Sequence, residues 1–251
     1  MMSSIKNNIK NTTNAVKITV IYDNNPMIKN LQPDWGFACL VEIGKNKILF
    51  DTGDNGTILM KNMGKLGIDP KSIDVVVLSH FHHDHTGGLK DFLEVNSKVK
   101  VFYPQSFPRE IVDMIKHSGA EAVPVSEFME ILPDVFTLGE IKGIIPEQSL
   151  AVRSKKGVVV ITGCAHPGIV NILQRAKNKL PAEQIYLAIG GFHLHRLNED
   201  EISKVIQKMF DMEILSVAPT HCSGSLARQM FREVFSADYA EVGVGKVINI
   251  K

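Results

Sequence analysis

Five short apolar runs in this chain each stop at residues able to hold a metal ion or move a proton. "ILF" runs into Asp51, "VVVLS" into His80, and "VVVIT" into Gly163, Cys164 and, past Ala165, His166. "YLAIGG" runs into Phe192 and His193, and "LSVAPT" into His221 and Cys222. Continuous runs of Val, Ile and Leu at this length fit strands buried on both faces. Residues that follow strand ends on one edge of a sheet converge in a crevice even when far apart in the chain. The pattern therefore constrains the fold and the site together: the strands are a rigid platform, and the polar residues beyond them are its working edge.

The densest cluster is "SHFHHDHTGGL", in which four of the nine histidines and one aspartate fall within positions 80–85. In an extended segment, residues two apart point the same way, so His80 and His82 can present both imidazoles to one ion. Asp84 and His85 lie in the turn beyond and can hold a second. Imidazole and carboxylate donors suit Zn, and also Fe or Mn.

The rest of the chain reads as hairpins followed by strands alternating with helices. Residues 16–23, 37–44 and 45–53 read as strands joined by tight turns, and 56–68 as a helix with Ile58, Leu59, Met63 and Leu66 on one side. Residues 73–79 and 98–104 are strands, 89–93 a short helix, and 109–119 a helix ended by Gly119. Residues 134–145 are expected to form a strand and 149–163 a hairpin turning at "SKKG". Helices over 168–180, 199–212 and 225–235 separate strands over 184–191 and 214–221, and 239–250 is expected to be a closing strand pair. The expected class is α/β, two mixed sheets with helices outside them. With no Pro/Gly/Ser linker, residues 16–251 read as a single domain behind a polar, Asn-rich, disordered leader over 1–15.

Composition excludes several classes of partner. A net charge of +1 gives no basic field for nucleic acid. No apolar run approaches the ~20 residues that span a bilayer. Three widely spaced cysteines, Cys39, Cys164 and Cys222, make no disulfide framework and point to a reducing, cytoplasmic setting. The sequence gives no reading of oligomeric state.

"SHFHHDHTGGL", with "ILFDTG" before it and "APTHCSG" late in the chain, resembles the motif set of the metallo-β-lactamase superfamily. "YDNNP", "TGCAHPGI", "GGFHL" and "PTHCSG" are closer to one branch, the archaeal and bacterial 7,8-dihydropterin-6-methyl-4-(β-D-ribofuranosyl)aminobenzene-5′-phosphate synthase-like proteins. The resemblance implies an αββα sandwich, a first metal site of His80, His82 and His166, and a second of Asp84, His85 and His221. Asp51 would orient a ligand histidine, and Asp84 would also position or deprotonate an attacking water. Many superfamily members carry a bridging aspartate where this chain has Cys164, and the histidine expected upstream is absent from "IIPEQSLAV". The second ion should then be weaker or lost. Cys164 reads as a small, partly buried thiol beside the site, a bridging thiolate being the alternative. Cys222 is expected to point away from the metal, Cys39 to lie in the core, and His117 and His195 to be structural or exposed.

His193 follows two glycines, where backbone can approach a ligand, and is expected to contact substrate or serve as a general acid. The retained His82, replaced by a carboxylate in diiron relatives, favours hydrolysis over oxygen chemistry. These readings converge on a metal-dependent hydrolase with one or two divalent ions, Zn first, acting on a small anionic metabolite, phosphorylated or pterin-like. Two alternatives stand beside it: a synthase condensing a pterin with an arylamine, and a non-catalytic metal- or ligand-binding protein.

Overall fold

The computed structural model describes residues 15–251, so the leader expected over 1–15 lies, except for Ala15, outside the described residues. Strands β1 (Val16–Asp23), β2 (Phe37–Ile43) and β3 (Asn46–Phe50) form an antiparallel meander, as the tight turns between them imply. Next come helix α1 (Gly56–Lys65), β4 (Val75–Val77), the single-turn α2 (His83–Thr86), α3 (Leu89–Val95), β5 (Lys100–Pro104), α4 (Arg109–His117) and β6 (Glu121–Val125). The second half contains β7 (Met129–Leu132), β8 (Val135–Thr137), the hairpin β9 (Leu150–Ser154) and β10 (Gly157–Thr162), then α5 (Ile169–Lys179), β11 (Ile185–Gly191), α6 (Glu199–Asp211), β12 (Ser216–Thr220), α7 (Ser225–Phe235) and β13 (Val247–Ile250).

These strands make a seven-stranded sheet, β13-β1-β2-β3-β4-β5-β6, and a six-stranded sheet, β12-β11-β10-β9-β8-β7. Both are mixed. β3 to β6 run parallel on one side, and β10 to β12 run parallel on the other. Alternate residues of each strand face different cores, which is why the strands read as unbroken apolar runs. Val75 and Val77 of β4 face the layer between the sheets, where they meet Val159 and Ile161 of β10. Val76 faces the opposite way, onto Leu59, Leu89 and Phe92 from α1 and α3. Val158 and Val160 pack against α5, α6 and α7. Truncating a fully buried Ile161 to Ala in such a layer costs about 2–5 kcal/mol. The α/β sandwich of two mixed sheets is thus the observed architecture.

Several local expectations need correction. The strand expected over 134–145 stops at Thr137, because Gly139 turns the chain in the left-handed region (φ 78°) and packs against Glu127 backbone so closely that a Cβ would clash at 2.7 Å. The closing strand pair over 239–250 is only β13; before it, Tyr239 and Val244 make isolated bridges to Val217 and Pro26. The strand reading missed β6 and β7. They are edge strands with mostly exposed or half-buried residues, and so lack a continuous apolar run.

Candidate metal centre

The five polar strand ends do converge. His80 follows β4, Asp51 follows β3, Cys164 and His166 follow β10, His193 follows β11, and His221 follows β12. Four of the residues there, Asp51, Ala165, His193 and His221, have left-handed backbone (φ 57°, 60°, 54° and 49°) without being glycine. Such conformations cost about 1–3 kcal/mol each and persist where the surroundings over-determine them. Here they turn the chain sharply off the end of each strand.

Donor atoms of His80, His82 and His166 lie within 4.8 Å of one another, and so do those of Asp84, His85, Cys164 and His221. Both expected metal sets are therefore assembled, and the two clusters adjoin: the His80 and His85 rings are 4.2 Å apart. Hydrogen bonds fix the tautomers. Ser79 Oγ donates to Asp51 Oδ2 (2.7 Å), leaving it to accept from His80 Nδ1 (2.9 Å). His85 Nδ1 donates to the same Asp51 oxygen (2.7 Å), and His221 Nδ1 to Asn24 Oδ1 (2.9 Å). In its neutral form each of these rings then turns an unprotonated Nε2 inward. His82 presents Nδ1, 3.2 Å from His80 Nε2.

Burial holds the first triad neutral. Desolvation, then neighbouring histidines, pushes His166 down to about 4 and His80 well below its ordinary value; burial also lowers His82. In the second cluster burial acts to lower His85, but the Asp51 carboxylate outweighs it and lifts the imidazole to about 9. Burial likewise acts to raise Asp84, and His221 and His85 outweigh it, holding the carboxylate ionised far below its usual range.

These residues fit a metal. Nε2 of His166 and Nε2 of His221 are buried with no hydrogen-bond partner, and Asp84 Oδ2, 3.3 Å from the latter, lacks the angle for one. A buried, unprotonated nitrogen left unpaired is costly unless something electrophilic occupies the point it faces. Five imidazoles, a carboxylate and a thiol converging on two such points are a donor set for divalent ions.

Three supporting residues escaped the sequence reading. Glu147, fully buried, accepts the amide N–H groups of Gly163, Cys164 and Ala165 on Oε1 (3.1, 3.0 and 2.9 Å) and of His166 on Oε2 (2.8 Å). It shapes the turn carrying Cys164 and His166, in the very stretch that drew attention only for lacking a histidine. Its signal was a lone acid between apolar runs. Asn24 orients His221, and the ring of Trp35 lies 4.9 Å from that of His221. Neither had a signal beyond the "YDNNP" motif.

Cys164 is fully buried, its Sγ 3.2 Å from His85 Nε2 and within the second donor cluster. Cys222 stands outside both clusters, but it is not turned away from their neighbourhood. Its sulfur lies with Cys164 Sγ and His193 in a third group of donors and meets the Cys164 carbonyl at 3.6 Å. Cys39 is buried in the core, and all three cysteines are free thiols. His117 bonds the Asp113 carbonyl on an exposed helix end, and His195 the Cys222 carbonyl. His193 is exposed, its ring 4.4 Å from that of His166, and with His166 it borders a cleft of about 420 Å³. Among the described residues no helix is long and apolar enough to cross a membrane.

Comparison with known proteins agrees with this geometry. Residues 34–139 match the sequence profile of the metallo-beta-lactamase superfamily. The chain is 30% identical to the 7,8-dihydropterin-6-methyl-4-(beta-D-ribofuranosyl)-aminobenzene-5'-phosphate synthase of Methanocaldococcus jannaschii, over 86% of this chain and 91% of that one. It is 26% identical to an uncharacterized protein of the same organism, over 93% of this chain and all of that one. Among solved structures it resembles Tm1679, a metal-dependent hydrolase of the beta-lactamase superfamily, with a TM-score of 0.78 at 28% identity, covering 94% of this chain and 99% of that one. Human tRNase Z, short form, shares the fold at a TM-score of 0.64 and 15% identity, covering 94% of this chain and 99% of that one. With its fold, its histidine motifs and these relatives in accord, the chain belongs to the metallo-β-lactamase superfamily, in a branch resembling the dihydropterin synthase of M. jannaschii.

Proposed function

We propose that the protein is a metal-dependent hydrolase of a small anionic metabolite, phosphorylated or pterin-like, with Zn the favoured ion and Fe or Mn compatible with the donors. The observation that carries this reading is the pair of buried, unpartnered Nε2 atoms of His166 and His221, aimed into adjoining donor clusters. A bound divalent ion supplies Lewis acidity and lowers the pKa of water toward about 7. A site ringed by neutral imidazoles then stays positive and favours an anion.

The chain's own groups divide the remaining work. Asp84, held ionised, is a weak base, so its part is to orient a water molecule by accepting its hydrogen bond. His193 lines the cleft beside His166. Its bond to Cys222 raises its pKa, against the effect of burial, and so favours the protonated, donating form. As the water oxygen bonds to the substrate centre and the bond to the leaving oxygen breaks, His193 gives that oxygen its proton, the water sheds one proton to solvent, and His193 regains a proton from solvent before the next turnover. Three free thiols suit a reducing, cytoplasmic setting, and the small net charge offers nucleic acid no broad electrostatic attraction.

A second reading is favoured by the name of the M. jannaschii relative: a synthase joining a pterin to an arylamine, in which no substrate water is consumed. Metal-loaded enzyme incubated with aryl phosphate mono- and diesters, and separately with a pterin alone, an arylamine ribotide alone or both, distinguishes the two. Ester cleavage that follows metal content supports the hydrolase. Product only when both partners are present supports the synthase, and neither activity favours a binding protein.

A further inference from the structure

We propose that Lys204 and Lys208 form an anion clamp at the outer wall of the cleft beside His193, selecting substrates that carry a phosphate or carboxylate remote from the reacting bond. This rests on the reading of the cleft as the substrate site. The cleft has a polar end, at His166 and His193, and an apolar wall that includes Leu194, Leu197 and Val205. Its far rim is helix α6, where Lys204 and Lys208 stand one turn apart and both line the cavity.

Two lysines at i and i+4 repel one another and weaken a helix. Among the described residues neither has a carboxylate within 4.0 Å. The one acid lining the cleft, Glu201, is committed elsewhere: its Oε2 accepts the Asn198 amide at 3.0 Å, while the Asn198 side chain accepts the Glu201 amide. That reciprocal cap anchors the start of α6 and fixes the rim on a rigid element. The uncompensated charge therefore lines the same cavity as the apolar side chains of Leu194, Leu197 and Val205 and as His166 of the first donor cluster. A ligand spanning it places its reacting group at His193, its ring along Leu197 and Val205, and its anion between the lysines.

Riboflavin and riboflavin 5′-phosphate, which share a flat ring system and differ by one phosphate, are suitable fluorescent probes for metal-loaded protein. The phosphate form should bind about tenfold tighter, the size two exposed ion pairs supply. The preference should vanish in Lys204→Gln/Lys208→Gln with metal content and unfolding midpoint retained, and Leu197→Trp, which fills the cleft, should weaken both probes. Equal binding of the two probes by the native protein overturns the clamp. So does a preference that survives the lysine substitutions and disappears on chelation, which places the phosphate on the histidine cluster. The probes read binding alone, so failure of the hydrolase reading shows separately, as a preserved phosphate preference with no ester cleaved.

Discussion

Cys164 Sγ lies 3.2 Å from His85 Nε2, so a thiol occupies the point faced by the inward nitrogen of a buried histidine. Burial, and then the contact with Cys222, pushes this thiol's pKa well above the ordinary value, so the metal-free site lacks the anionic ligand a carboxylate would provide. The purified protein should accordingly hold nearer one tightly bound ion than two. Cys164→Ser should leave the first ion in place and weaken only the second, whereas Cys164→Asp should raise the content toward two. Elemental analysis after dialysis reads the stoichiometry. The single Trp35, beside His221, reports second-site filling by fluorescence. Loss of all metal in Cys164→Ser would show that the sulfur also serves the first site.

His82 and His193 are both near His166, with ring separations of 4.9 and 4.4 Å, yet should behave oppositely. His82→Ala removes one of three donors from the first cluster and should abolish tight metal binding there. His193→Ala should keep the metal and lower the turnover number about 100-fold or more, the usual scale of a lost general acid. A parallel fall in metal and activity in His193→Ala would make it a ligand.

Glu147 is the most costly side chain to remove. Glu147→Ala strands three buried amide groups and a fourth, part-buried one, and should destabilise the protein by about 3–5 kcal/mol, while also loosening the turn that carries His166. Glu147→Gln keeps a carbonyl oxygen for the amides of Gly163, Cys164 and Ala165, gives up only the acceptor facing the His166 amide, and should cost less. Denaturant unfolding with and without metal measures both losses, and equal midpoints for the two variants would refute this account of the turn.

The site also fixes a pH dependence. With His80, His82 and His166 lowered, the folded metal-free chain binds fewer protons than the unfolded chain below pH 6.5, so stability falls as the pH drops toward 4. Glu147, raised to about 7 by burial, and Asp23, also raised by burial, oppose this. His85 contributes in the other direction: its stabilisation is full below 6.5 and is lost as the pH rises through about 9. Metal-free stability should therefore peak near pH 6.5. Binding a metal requires neutral His85, so filling the second site at pH 7.5 should release roughly one proton and filling the first none. Titration calorimetry in buffers of different ionisation enthalpy separates the two.

The candidate donors were legible in the sequence because they follow strand ends, and a buried strand announces itself as an apolar run. The supports were not, because their partners are remote. Glu147 matters only once β10 brings the amides of residues 163–166 against it, and Asn24 only once β12 lies near the end of β1. Spacing also hid the edge strands β6 and β7, whose half-exposed residues carry no period. The placement of Cys222 followed from the left-handed turn at His221, which neighbouring residue types do not disclose.

The donors come from both sheets: His80, His82, Asp84 and His85 from the seven-stranded one, His166 and His221 from the six-stranded one. An ion held by His82 and His166, or by Asp84 and His221, is therefore a crosslink closing a long chain loop, and it acts on the mechanical unity of the sandwich as a staple does. Metal-loaded protein should melt as one cooperative unit. Once chelated, the two halves remain joined by their shared apolar layer, by hydrogen bonds such as those of Gln148 to the Leu78 carbonyl and of Thr220 to Asp23, and by β13, the strand that the second half returns to the first sheet.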